Sequence, residues 1–279
     1  MRVVFGTYSH SASSALLRQK FIMLGALSLF AVVLTLCACT NTGNVRNEDS
    51  QATRAASVNV QLGAGYINQG KNELALSKLN RALEQDPKLP SAHYVIAILY
   101  ERLGEFEKAD THYRRAVELA PLDPEAHNNY GTFLCGQNHL KEADAQFLAA
   151  LKDPLYKTPE YAYTNAGVCA LKTPDVAKAE AYFRQALRVN PRFASALLEM
   201  AQLNFNRGSY LPARGYLQRH MEVSQHSPAA MWLGVRIERA LGDNTTAESY
   251  ARVLKTDFPN SRETELLLNP EQHGQPSGH

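Results

Sequence analysis

The chain has 279 residues and a formal net charge of +2, enough length for one or two domains. Arg2, Arg18 and Lys20 are the charged residues of 1–38, which leaves −1 on the remainder. A near-neutral body lacks the clustered lysines and arginines of a nucleic-acid footprint, and no aromatic–basic interleave replaces them, so no nucleic acid partner is expected.

Residues 1–14 show no apolar pattern. Arg18 and Lys20 then precede an apolar run, 21–36, interrupted mildly by Ser28 and Thr35. A charged flank, an apolar stretch and a small-residue site make 1–38 a secretory signal. At ~1.5 Å per residue the run reaches ~24 Å, short of a ~30 Å hydrocarbon core, which disfavours an uncleaved anchor. The run ends Leu36-Cys37-Ala38-Cys39. This resembles a bacterial lipobox, with a leucine three residues before a cysteine and a small residue beside the cut. The resemblance implies lipid attachment at Cys39. Thr40 in place of an aspartate implies the outer membrane, and two or three acyl chains would anchor firmly where one would not. Residues 39–55 are polar and aperiodic, and are expected to form the lipidated cysteine and a flexible tether.

From residue 56 the chain repeats. The clearest unit is 90–123. Its spacing predicts a helix over about 91–103 burying Ile96, Ala97 and Tyr100, a turn at Gly104-Glu105, and a helix over 106–119 burying Ala109, Tyr113 and Ala116, closed by Pro121. Small residues belong where two helices cross closely, with an aromatic filling the gap beside them. Residues 56–89 carry Leu62-Gly63, Tyr66, Ala75, Leu79, Ala82 and Pro87 at the same offsets. Residues 124–159 carry Tyr130-Gly131, Leu134, Ala143, Phe147 and Ala150, with Pro154 one place early. Residues 160–193 carry Ala166-Gly167, Ala170, Ala179, Phe183, Ala186 and Pro191. The fit weakens over 194–227, where Asn204, His220 and Gln225 break it, and over 228–261, where Ala247, Ala251, Leu254 and Pro259 keep it.

The pattern is similar to the tetratricopeptide repeat. A two-helix unit cannot hide its apolar face alone and must stack on its neighbours. The resemblance implies an all-α, right-handed superhelical solenoid of six hairpins. Residues 262–268, with Leu266, Leu267 and Leu268, would form a capping helix over the last open edge, and 269–279 a disordered tail.

In such a solenoid the first helices line the inner groove. The phase assigns to it Val60, Ala64 and Ile67, then Tyr94, Ile98 and Glu101, Asn128 and Thr132, Tyr161, Val168 and Leu171, Leu198, Gln202 and Phe205, and Trp232 and Arg236. An exposed apolar strip marks a protein-interaction site. The bland alternative is that many of these residues pack between neighbouring units, and a phase slip of one residue would bury them. Val60 and Tyr94 stand where some tetratricopeptide proteins place the lysine and asparagine that grip an acidic tail. The groove therefore suits an amphipathic helix or an extended apolar peptide.

Cys135 and Cys169 each lie late in the first helix of adjacent units. Either they form a disulfide, favoured by an oxidising compartment, or they pack as buried thiols. Their offsets from Gly131 and Gly167 differ, so the fit is imperfect. His93 and His127 share a slot in successive units and are expected to stack as packing residues. No further ligand converges on them, so no metal is expected. No catalytic or cofactor-binding motif appears, which implies no cofactor, no small-molecule substrate and no enzyme activity.

Lipobox, tether and six repeats together, with the stretches ALSKLNRALEQDP (75–87), AHNNYGTFLCGQ (126–137) and AGVCALKTPDVAKAEAYFRQAL (166–187), resemble the type IV pilus biogenesis and stability lipoproteins, the PilF/PilW pilotins. The resemblance implies a Cys135–Cys169 bridge between the third and fourth units, and lipid anchoring through Cys39 on the periplasmic face of the outer membrane. Its implied partner is the pilus secretin, whose localisation and multimerisation the protein would promote. The alternative is another periplasmic lipoprotein adaptor, serving peptidoglycan hydrolases or outer-membrane protein assembly.

Overall fold

A computed structural model of the chain describes residues 50–269, and among them the regular secondary structure is entirely helical. The signal, Cys39, the tether up to residue 49 and the tail from 270 lie outside the described residues. The chain divides into two compact units, one ending at Ala92 and the other beginning at His93.

The first unit holds α1 (50–68) and α2 (Asn72–Gln85). Helix α1 begins six residues before the expected end of the tether, so residues 50–55 are helical. Polar contacts that apolar periodicity does not register account for this. The Thr53 hydroxyl donates to Asp86 at 2.8 Å, and the Asn59 amide to the Gln85 side-chain oxygen at 2.9 Å. Ala75, Leu79 and Ala82 of α2 are fully buried, as their spacing predicts, whereas Leu62 is exposed.

In the second unit, counted from His93, α3 (Pro90–Arg102) pairs with α4 (Phe106–Leu119), α5 (Pro124–Gly136) with α6 (Leu140–Ala150), and α7 (Pro159–Ala170) with α8 (Val176–Val189). Helices α9 (Ala194–Asn206) and α10 (Tyr210–Met221), then α11 (Pro228–Leu241) and α12 (Asn244–Asp257), make two further hairpins, and α13 (Arg262–Leu268) follows. Several first helices start on local signals. Proline occupies the first turn of α5, α7 and α11, where its missing N–H is harmless. Asp123 caps α5 by accepting from the N–H groups of Glu125 and Ala126, and Ser227 caps α11 by accepting from Ala230.

The second helices α4, α6 and α8 bury one stripe each: Ala109, Tyr113 and Ala116; Ala143, Phe147 and Ala150; Ala179, Phe183 and Ala186. This i, i+4, i+7 spacing is one face of a helix. Ile96 and Ala97 are buried as expected, but Tyr100 is only half-buried. Opposite Phe147 and Phe183 the first helix presents a glycine, whereas α3 carries Ala97 at that offset. A Cβ on Gly131 would lie 2.9 Å from Cε1 of Phe147, and one on Gly167 2.4 Å from Cε1 of Phe183. The hairpin turn of α5–α6 uses Asn138 at φ 65°, a left-handed conformation that asparagine tolerates.

The last hairpins swap apolar filling for polar pairing, which explains their weaker sequence match. His220 is buried, and its Nδ1 donates to the Ala194 carbonyl at 2.9 Å. Glu238 is buried and receives the Arg214 guanidinium through both carboxylate oxygens. In α13 the buried residue is Thr264, whose hydroxyl reaches the carbonyls of Leu254 and Phe258. Leu267 packs on the core beneath and Leu266 is half-buried, while Leu268 stays exposed.

Candidate functional site

Helices α5, α7, α9 and α11 lie side by side, and their outward stripe is the surface on which the sequence places a groove. That stripe is rotated from its expected phase. In the first unit Val60 and Ile67 are buried, at 7% and 5% exposure, and the neighbouring Gln61 and Asn68 face solvent instead. In the second unit Tyr94 and Ile98 are half-buried against the core around Tyr113 and Phe133, and Leu198 and Phe205 against the core around Leu217 and Met231. Of the apolar groove residues predicted, Tyr161 is 51% exposed and Val168 and Leu171 40% each. The cause is helical geometry. At about 100° per residue, moving one position along turns a side chain from solvent into the seam between two first helices. Asn128 shows this: it is buried and accepts from the Asn165 amide of the next first helix at 3.1 Å.

The open stripe is therefore part polar and part apolar. The Asn165 amide also meets the Thr132 hydroxyl at 3.3 Å, and the Lys172 ammonium crosses from the end of α7 to the Cys135 carbonyl at 2.7 Å. Further along, Gln202 donates to Asn206 at 2.7 Å. A recess of about 330 Å³ opens beside them, lined by Leu171, Val176, Glu199, Gln202, Leu203, Asn206 and Arg207. Burial pushes the Glu199 carboxyl above its ordinary range. Arg236 stacks over the Phe205 ring at 4.3 Å, and burial lowers its guanidinium. Spacing does not assign Glu199 to the groove, although the equivalent slots hold Asn165 and Asn129; polar residues at one offset are the available signal.

Aromatic side chains join the α3–α4 and α5–α6 hairpins. Tyr113 stacks on Tyr130 with centroids 5.9 Å apart and meets Phe133 at 4.9 Å. Tyr113, Tyr130 and Tyr182 donate their hydroxyls to Glu101, Asp110 and Asp144. Burial, and then the adjacent carboxylate, raises each of these phenols, so they remain protonated donors.

Cys135 and Cys169 are both buried, with Cα atoms 5.7 Å apart and sulfurs at bonding distance. His93 and His127 each face the second helix of their own hairpin instead of stacking on one another. His93 meets His112 at 3.1 Å, and His127 meets Gln146 at 2.6 Å. Among the described residues, no group of three or more histidine, cysteine, aspartate or glutamate side chains is placed to hold a metal ion. No helix among them is long and apolar enough to cross a membrane.

Helical hairpins with glycine at the crossing, an aromatic opposite and alanine on either side define a tetratricopeptide-repeat protein. Family models described as TPR repeat or tetratricopeptide repeat match residues 63–104, 90–133, 134–188 and 170–228. The type IV pilus assembly protein PilF of Pseudomonas aeruginosa is 34% identical over 235 residues, which are 84% of this chain and 93% of PilF. A solved structure of P. aeruginosa PilF superposes with a TM-score of 0.70 at 32% identity, covering 79% of this chain and all of that one. The crystal structure of PilW, a type IV pilus biogenesis factor, superposes at 0.69 and 33% identity, covering 76% of this chain and 98% of its own. The chain belongs to the family of tetratricopeptide-repeat type IV pilus biogenesis proteins that includes PilF and PilW.

Proposed function

We propose that this protein is a pilotin: a non-enzymatic lipoprotein, anchored to the outer membrane through lipid on Cys39, that binds the pilus secretin and promotes its localisation and multimerisation. The observation that carries the reading is the match to PilF across almost the whole length of both chains. The lipobox Leu36-Cys37-Ala38-Cys39 supports the anchoring half of it. In this mechanism the repeats supply the binding surface. The lipid holds that surface at the membrane, where a raised local concentration of secretin monomers favours ring formation. We also propose that Cys135 and Cys169 are bridged in the mature protein, which would tie α5 to α7.

The test is Cys39→Ala. The variant is expected to fold, to leave the outer-membrane fraction, and to reduce secretin multimers on a gel run without boiling. Normal multimers in the outer membrane of that strain would sink the proposal. Recovery of peptidoglycan hydrolases or outer-membrane assembly components in place of secretin would select the other adaptor role.

A further inference from the structure

We propose that the recess between the α7–α8 turn and α9 docks a peptide segment of a partner protein in which a lysine or arginine flanks an aliphatic side chain, the cation pairing with Glu199. This rests on the reading of the repeats as a protein-binding scaffold, but not on which protein they bind.

The recess has two kinds of wall. Leu171 and Val176 stand 40% and 37% exposed at its mouth, above the buried Leu203. At about 330 Å³ it lies at the low end of ligand-site volumes, room for a side chain or two of a docked segment. Its polar wall comes from one turn of α9. Gln202 spends one amide hydrogen on Asn206, which leaves the Gln202 carbonyl oxygen to accept from an N–H, and the Asn206 NH2 group to donate to a C=O, of an extended backbone.

Glu199 sets the charge of the occupant. It is half-buried, and burial alone accounts for its displaced ionisation; among the described residues no cation offsets it. Arg207 lines the same recess, but Glu180 holds its guanidinium. An ionised carboxylate taken partly out of water without a partner costs stability, and glutamine would occupy the same space without that cost. A cation brought by a ligand removes the cost on binding, whereas an acidic segment would add to it.

The experiment pans the purified full chain against a displayed library of random dodecapeptides. Recovered peptides are expected to carry lysine or arginine next to leucine, isoleucine or valine. Glu199→Gln should weaken their binding by about tenfold or more, and Glu199→Lys should turn the selection toward acidic peptides. Leu155→Ser, in the exposed loop before α7, serves as the control that leaves binding unchanged. A thermal midpoint of Glu199→Gln no lower than wild type shows that lost binding is not lost folding. The proposal is overturned if no peptide is recovered, if recovered peptides lack the basic residue, if Glu199→Gln binds them unchanged, or if the recess instead captures a second copy of the chain. Loss of peptide binding in Glu199→Gln alongside normal secretin multimers would support the site and count against secretin as its occupant.

Discussion

Gly167 shows how little room the hairpin crossing leaves. A Cβ there would sit 2.4 Å from Cε1 of Phe183, and Phe183 is fully buried. Gly167→Ala is expected to cost ~1–3 kcal/mol through overpacking, seen as a lower urea midpoint. Gly136→Ala, whose Cβ meets nothing within 4 Å, should leave the midpoint unchanged or raise it. Glu199 makes a prediction of opposite sign. Its carboxyl is raised above the ordinary 4.5 by burial, so the folded state disfavours the ionised form. Well below 4.5 the group is protonated in both folded and unfolded chains and costs nothing. As pH rises through 4.5 the unfolded chain ionises first, and above the raised value the whole cost is present. The thermal midpoints of wild type and Glu199→Gln should coincide near about pH 3.5 and separate by about pH 7, with the variant higher. Equal midpoints at neutral pH would contradict the burial argument.

At the scale of elements, hairpin pairing was legible wherever apolar filling does the packing. The stripe of α4 lies where spacing placed it, because alanine, tyrosine and alanine at i, i+4 and i+7 can satisfy only one face of a helix. Legibility failed where polar groups took over. The first turn of α1 is held by Thr53 and Asp86, the fifth hairpin by His220, and the fifth and sixth together by Arg214 and Glu238. Hydrophobic periodicity carries no trace of such pairs, since each depends on a partner far along the chain. The proposed bridge between α5 and α7 is testable at this scale. On the chain-entropy model, closing a loop of 34 residues stabilises the fold by about 3–4 kcal/mol. The oxidised protein should run faster without reductant than with it, and Cys135→Ser should lower the urea midpoint by a corresponding amount. Identical migration in both conditions would rule the bridge out.

In the whole molecule, a row of hairpins that touch mainly their neighbours behaves as a one-dimensional array. For residues 93–269, hydrogen exchange should therefore be slowest in α5 to α10, whose hairpins have neighbours on both sides, and fastest in α13, which has them on one. Uniform protection from α3 to α13 would mean that the unit opens as a single globule. The sequence by itself determined the hairpin units, their glycine crossings and their aromatic stripes, because each is enforced within a few turns of helix by side-chain size and period. It also carried the resemblance to the pilus biogenesis family, through long stretches of matching repeats. Only the tertiary structure decided which first-helix residues face outward. That depends on how closely adjacent first helices approach, and a shift of one position moves a side chain from the open stripe into the seam. For that reason Val60 and Ile67 are buried and Tyr94 and Ile98 half-buried, while the expected Leu171 and Gln202 line an open recess together with Glu199, which spacing did not assign.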